Sequence, residues 1–567
     1  MTPAITVLLV IIIYLGLLLS LGLFSNRFFR GTSKDYFVAS QSIGPVLLLM
    51  SVFGTTMTAF ALVGSTGKSF ERGIGVYGLM ASISGLIHAG VFFLIGIRLW
   101  VFGKKYGYVT QIQYFRDRFE SKFLGYLLFP ILVGWVIPYL LIGVIGAGKT
   151  ILPVTAGAFP QMFAETNGGI PEWLSGLVVC IIVLMYVFAG GSRGAAWANT
   201  FQTAVFMVMG VIAFYFIYSA IGGLDRAAEV VAQVTEDGKV VQNYGVVPGD
   251  IAKVEKLDTP KVVARLANPD QAADIAGTRP HLSRTVVDTI YKGKNPKTGE
   301  LEDRERQLGV PPLMFLTYMF IPLSVGMFPH LFQHWLTARS AKSFRLTLVA
   351  HPLFIMIVWV PCVLIGVWAS GLVPWGLPPA AVLSKMLALL VNSPILTGLL
   401  TAGVLAAIMS SLDSQFLCLG TIFTNDIVLH AAGEDRFNDR QKILIARAFV
   451  IFIVALTYVL AIIATRNGAN VFDLAVWCFS GFSSLFPLVF CAVYWKRTTK
   501  AGAIACVIAA LGVWLYFFNI SGGGEYVVGP GIMPVTFGIA ASTAAIVIVS
   551  LMTPPPSEAT VQKFFPE

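Results

Sequence analysis

Apolar residues run almost unbroken through thirteen segments of membrane-spanning length, roughly 3–24, 45–66, 75–102, 123–148, 171–190, 195–221, 311–335, 346–370, 396–424, 442–465, 470–495, 501–518 and 532–552. The pattern predicts an all-α polytopic membrane protein of 13 transmembrane helices. The polar breaks are short with one exception: residues 222–307 hold 13 Lys and Arg and 14 Asp and Glu, with turn sequences such as Pro248-Gly249 and Lys294-Asn295-Pro296. This stretch reads as an external insertion, either a small ordered cap or a flexible loop. It separates spans two to six (45–221) from spans seven to eleven (311–495), five on each side. An odd number of spans turns a repeated unit upside down in the bilayer, so the count predicts two inverted five-helix repeats. Their leading helices should be broken near the midplane, and both carry breakers: Gly54, Gly64 and Gly67 in one, Pro322, Gly326 and Pro329 in the other. The predicted organisation is an extra N-terminal helix and loop (1–44), a first repeat (45–221), the insertion (222–310), a second repeat (311–495), and two last helices with a short tail (496–567).

Composition narrows the class further. With 56% hydrophobic and 12% charged residues the chain is too apolar for a soluble multidomain protein. The net charge of +10 does not signal nucleic acid, because the basic residues punctuate apolar runs instead of gathering on one patch. Counted along the loops, 21 Lys and Arg fall on one side and five in short loops on the other. The positive-inside rule then predicts an integral protein of the cell (inner) membrane with its N-terminus outside and its C-terminus cytoplasmic. Residues 3–24 lack a preceding basic residue and a following cleavage motif, so they read as a span and not a signal peptide. The six cysteines lie inside apolar segments and read as small core residues. No HExxH pair occurs, and no nucleophile elbow or nucleotide-binding loop is assigned, so an enzyme and a primary pump are set aside.

One position stands against the apolar pattern. Asp413 is the sole acid placed mid-span, in the ninth segment, and a carboxylate at that depth costs on the order of 2.5–3.5 kcal/mol unless it is paired, protonated or facing water. Around it Ala407, Ser410, Ser411 and Ser414 fall at i, i+3, i+4 and i+7, so one helical face offers a carbonyl and a column of hydroxyls. Oxygen ligands of this kind suit a hard cation such as sodium; membrane serines also commonly bond their own helix, and that reading stands beside it.

The stretch Ala406-Ala407-Ile408-Met409-Ser410-Ser411-Leu412, followed by Thr421-Ile422-Phe423-Thr424-Asn425-Asp426-Ile427, resembles the sodium:solute symporter family. Gly54 to Gly67 resembles that family's broken first core helix, and Trp477 to Trp495 with Lys496, Arg497 and Gly502 resembles the segment before its last two spans. The resemblance covers nearly the whole chain outside 222–307 and lies nearer the proline, pantothenate and acetate branch than the sugar branch. It implies a LeuT-like core, a sodium-coupled symporter of a small organic solute working by alternating access, Na+ as coupling ion and only metal, and no organic cofactor. Carried over by position, the principal sodium site would use carbonyls of Gly54, Met57 and Ala407 and hydroxyls of Ser410 and Ser411. Some members build a second site on a Trp-x-Asp pattern; here it reads Trp197-Ala198-Asn199, and the missing charge reappears across the site as Asp413. Asn199, Asp413 and Ser414 are therefore expected to form a relocated second cation site, with structural hydrogen bonding or proton coupling through Asp413 as alternatives.

The expected solute contacts are Thr55, Thr56, Phe60, Ala61, Met327 and Phe328, with a small carboxylate or amino acid as the solute. Sugar-type polar contacts are absent, since Ala61 and Phe328 stand at the matching positions. His330 and His334 have metal-compatible spacing but no visible third ligand, and His88 reads as a hydrogen-bonded packing residue. A transporter-like sensor is a further alternative, disfavoured because only about 15 residues follow the last span.

Overall fold

The computed structural model describes residues 2–25, 27, 29–80, 83–224, 227, 234–236, 239–241, 287–294, 301–373 and 377–565. Among them, ten helices are long and apolar enough to cross a membrane, or twelve when each of two bent pairs counts as one span. Helices satisfy their backbone hydrogen bonds internally and leave apolar side chains outside, as hydrocarbon requires.

Among the described residues the longest unbroken buried run lies in Pro394–Ile422, where every residue from Leu400 to Ile422 is buried. It packs against Glu172–Ile221, Pro3–Ser25, Lys122–Val154 and Asp439–Arg466. An apolar run enclosed on all sides by helices is where a polar side chain meets protein instead of lipid. That enclosure is what makes Asp413 tenable.

The two leading helices are broken as expected, though not at every expected residue. Pro45–Thr56 and Phe60–Arg72 meet at a 52° bend, and Pro312–Gly326 and Pro329–Thr337 meet at 50°. The first break falls at Met57 (φ −93°, ψ 85°), and Thr58 restarts the helix by accepting the Phe60 N–H at 3.0 Å. Gly54, Gly64 and Gly67 stay helical. The second break follows from Pro329, whose ring disfavours a helical conformation at Phe328, found at φ −63°, ψ 118°.

The expected spans at 171–190 and 195–221 form one run of 50 residues, Glu172–Ile221, with non-helical backbone at Gly191 (φ 53°, ψ −145°). A Cβ there would also sit 2.7 Å from both Cδ2 and the carbonyl oxygen of Tyr36, so the position needs glycine on two counts. The chain departs from all-α in the insertion, where four strands form a sheet, with Val287–Lys294 antiparallel to Leu301–Leu308 from Val287↔Leu308 to Lys294↔Leu301. The sheet's exit is tied down by the Gly309 N–H donating to the Arg72 carbonyl at 2.9 Å. Most of residues 222–307, the subject of the cap-or-loop expectation, lies outside the described residues.

Two stretches spell catalytic consensus patterns without the structure those patterns require. Gly143 to Thr150 reads GxxxxGKT but lies inside the continuous helix Lys122–Val154, and Lys149 ion-pairs with Glu172 at 2.6 Å. A phosphate loop needs backbone N–H groups free of helix bonding. Gly190 to Gly194 reads GxSxG, yet no strand leads into it and the Ser192 hydroxyl donates to the Phe37 carbonyl.

Candidate functional site

The first break and the Asp413 helix meet at Ser410. Its hydroxyl lies 2.8 Å from the Gly54 carbonyl and 2.9 Å from the Ala407 carbonyl. The approach depends on Gly54: a Cβ there would run into the Thr203 hydroxyl and reach within 3.6 Å of the Asn199 carbonyl oxygen. Met57 follows directly on the helix that carries Gly54 and has left helical geometry. Ser411 bonds its own helix at the Ile408 carbonyl, 2.9 Å away. Gly54, Ala407 and Ser410 are thus joined by direct contacts, with Met57 three residues on from Gly54 and Ser411 next to Ser410.

One turn further along, Asp413 is fully buried among neutral groups. Its carboxylate accepts from the Tyr186 hydroxyl at 3.1 Å and the Ser414 hydroxyl at 2.9 Å. Asn199 faces it from Glu172–Ile221. With its amide nitrogen turned to the carboxylate, Asn199 lies 3.1 and 3.0 Å from the two Asp413 oxygens and 2.9 Å from the Ser410 carbonyl, and its own oxygen, 2.9 Å from the Ser414 hydroxyl, shares that one proton with Asp413. The opposite orientation leaves the amide oxygen facing only acceptors, so hydrogen bonding selects this one. Asn199, Asp413 and Ser414 therefore meet, as the sequence led one to expect.

Three further residues join this cluster, of which the sequence singled out only His334, and for its spacing from His330. Gln202 places Oε1 3.1 Å from the Asn199 amide, Tyr186 binds Asp413, and His334 Nε2 lies 3.0 Å from Ser414 Oγ. Because the Ser414 proton goes to oxygen, His334 donates to it. His330, four residues earlier, stacks instead on Phe328 with ring centroids 5.1 Å apart. The two histidines thus have separate partners. Ser410 connects the two oxygen clusters, its hydroxyl serving the Gly54 side and its carbonyl the Asn199 side.

Between the two breaks lies a narrow cavity of about 30 Å³, room for one or two waters. Of the expected solute contacts, Thr56, Phe60 and Phe328 line it, and Met57 lines it as well. The other three are not among its lining residues: the Met327 carbonyl accepts from Gln111 at 3.1 Å, the Ala61 carbonyl accepts from Ser65, and the Thr55 hydroxyl is buried without a partner. The missing walls come from helices outside the broken pair, chiefly Tyr139, Trp359 and Phe479. Phe479 meets Phe60 and Tyr139 edge to face at 5.1 and 5.0 Å. Elsewhere in the bundle, Lys68 is 3% exposed and ion-pairs with Glu525 at 2.6 Å and Asp473 at 3.4 Å, drawing three elements together.

The family model for the sodium:solute symporter family matches residues 36–510. The chain belongs to the sodium:solute symporter family. Among curated relatives of this symporter, a sodium/proline symporter of Staphylococcus aureus (strain bovine RF122 / ET3-1) is 23% identical over 519 residues, spanning 88% of this chain and 83% of the relative. Sodium/proline symporter 2 of Staphylococcus saprophyticus is 23% identical over 513 residues with the same coverage. Among solved structures, a Na+-coupled sialic acid symporter in a substrate-bound, outward-open state superposes with a TM-score of 0.67 at 16% identity, over 98% of this chain and 99% of that one. Mhp1, a nucleobase-cation-symport-1 family transporter in a closed conformation with bromovinylhydantoin bound, gives 0.54 at 13% identity over 93% and 97%. At these identities the structural likeness establishes the fold. The symporter is an integral membrane protein that couples import of a small organic solute to Na+.

Proposed function

We propose that sodium is bound between the first break and the Asp413 helix by the carbonyls of Gly54, Met57 and Ala407 with the hydroxyls of Ser410 and Ser411. A second cation sits one turn away on Asp413, Asn199 and Ser414. The observation that carries this reading is Ser410, which touches Gly54 with its hydroxyl and Asn199 with its carbonyl. A cation entering either cluster takes up oxygens that now bond each other, so filling one site reorients a residue of the other. The solute is a small carboxylate or amino acid held between Thr56, Phe60 and Phe328, with L-proline the first compound to try given the named relatives. The cavity's small volume means that Phe328 and Phe479 part before a solute enters, which fits alternating access.

The two leading bends, matched to within a few degrees, support a LeuT-like core of inverted repeats at 45–221 and 311–495. Thirteen crossings result when Glu172–Ile221 is counted twice. Its 50 residues would extend about 75 Å as one helix, more than twice the hydrocarbon thickness, and Gly191 interrupts it near the middle. The excess of Lys and Arg on one side supports an N-terminus outside and a C-terminus in the cytoplasm, in the cell membrane. The consensus stretches that are helical here support a transporter and not an enzyme.

Ser410→Ala and Ser411→Ala test the principal site. Each is expected to raise the sodium concentration needed for half-maximal thermal stabilisation of the purified protein several-fold, Ser410→Ala the more. An unchanged midpoint in both refutes the assignment. The wholly neutral surroundings of Asp413 also favour a second reading, proton coupling, in which Asp413→Asn alters only the pH dependence of transport.

A further inference from the structure

His88 belongs to the third apolar run and His351 to the eighth, and nothing in the sequence joins them. In the fold, His88 Nδ1 and His351 Nε2 are 3.1 Å apart. Phe53 and Phe92 wall in His351, with ring centroids at 5.4 and 5.1 Å. His351 is wholly buried, whereas His88 keeps 7% of its surface and lines the solute cavity with Thr56, Tyr139 and Phe328.

A hydrogen bond between two imidazoles needs one protonated nitrogen and one bare nitrogen. Were His88 Nδ1–H the donor, His351 would carry its proton on Nδ1, which is buried with no acceptor. With His351 Nε2–H as donor, the orphan is only a lone pair, and buried N–H groups without partners are the rarer of the two. That arrangement puts the His88 proton on Nε2, at the ring edge His351 leaves for the cavity. We infer that His88, oriented by His351, donates its Nε2–H to the solute and so selects a carboxylate. A carboxylate is preferred over a neutral carbonyl because hydrogen bonds to charged oxygen are about twice as strong. His88 is the specificity-determining contact, and His351 is a positioning residue that fixes which nitrogen carries the proton. The inference rests on the reading of this cavity as the solute site.

The test uses the purified full chain with acetate, pyruvate, L-alanine and L-proline, beside acetamide and L-prolinamide, each in NaCl and in choline chloride, with thermal stabilisation as readout. At least one carboxylate is expected to stabilise the wild type more strongly in sodium, and its amide less. His88→Phe is expected to weaken that carboxylate at least tenfold while sodium alone still stabilises the protein, which shows that the variant is folded. His88→Gln keeps an N–H at the Nε2 position and should hold affinity within a few-fold. His351→Phe should weaken the carboxylate, and His351→Gln should rescue it. Equal carboxylate affinity in His88→Phe, or a His88→Gln variant as weak as His88→Phe, overturns the inference. If sodium stabilises the wild type but no carboxylate does, the solute assignment is overturned and the sodium reading stands. If sodium fails as well, the functional reading falls first.

Discussion

Replacing Asp413 by Asn removes a full charge while leaving the shape of the side chain almost unchanged and turning one acceptor oxygen into a donor. The Tyr186 and Ser414 hydroxyls donate to different carboxylate oxygens, at 3.1 and 2.9 Å, so an amide keeps one of these bonds through its oxygen while the other hydroxyl turns to accept from its nitrogen. The fold is therefore expected to survive, since a buried carboxylate surrounded only by neutral donors is expensive in an apolar bundle. Cation binding is where the loss should appear. A cation and a carboxylate about 4 Å apart attract by about 4 kcal/mol at an effective dielectric constant near 20. The amide oxygen remains a ligand and recovers part of that, so the net loss should be about 1.4–2.8 kcal/mol, a ten- to hundredfold weakening. The assay is the thermal midpoint of the purified protein as NaCl replaces choline chloride at constant ionic strength, where stabilisation follows the logarithm of occupancy. The wild type should show the steeper dependence of two sites, and Asp413→Asn the shallower dependence of one. The double change Asn199→Asp with Asp413→Ser returns the charge to the facing helix and should restore the slope better than either single change. An Asp413→Asn protein with wild-type midpoint and slope would refute the second site.

Three other perturbations probe the scaffold. Gly191→Ala forces a side chain into left-handed backbone at φ 53° and against Tyr36; about 2 kcal/mol or more of stability should be lost, and an unchanged unfolding midpoint would contradict the account. Lys68→Met leaves the carboxylates of Glu525 and Asp473 without the cation that joins them; a loss of about 3 kcal/mol of stability is expected, and an unchanged unfolding midpoint would contradict it. Burial pushes the Asp35 carboxyl up, but the Arg193 guanidinium, the Arg30 N–H and the Ser40 hydroxyl outweigh it and hold the group below the usual carboxylate range. Its contribution is thus present above about pH 4 and lost as pH falls through the folded value, so the stability gap between wild type and Asp35→Asn should shrink from pH 7 to pH 3; a constant gap would show that the charge is not what matters.

How much of this was readable from the chain depends on how sharply each environment punishes the wrong residue. A carboxylate in hydrocarbon is so unfavourable that Asp413 announced a buried polar cluster, and the absence of an acid at Asn199 pointed to the residue that faces it. Pro329 marked its break because its ring acts on the preceding residue whatever the context. The glycines misled: flanking helices support a glycine in a membrane helix, so Gly54 serves close packing and the break falls at Met57 instead. The aromatic walls of the cavity were hidden, since Tyr139, Trp359 and Phe479 sit in apolar runs where any large side chain looks alike until the helices are assembled. The GxSxG and GxxxxGKT stretches show the converse, a familiar spelling without the backbone that gives it chemistry. The strands of the insertion also left little trace, because Leu301–Leu308 is rich in charge and lacks the alternation of a half-buried strand.

The most direct test of sodium-coupled import is uptake into proteoliposomes carrying the purified protein, using labelled L-proline, L-alanine, acetate and pyruvate under an inward sodium gradient. At least one solute should accumulate above its external concentration, and accumulation should vanish when choline replaces sodium or an ionophore collapses the gradient. Accumulation of that solute at the same rate in choline, or no sodium-dependent uptake of any of the four, would contradict the account.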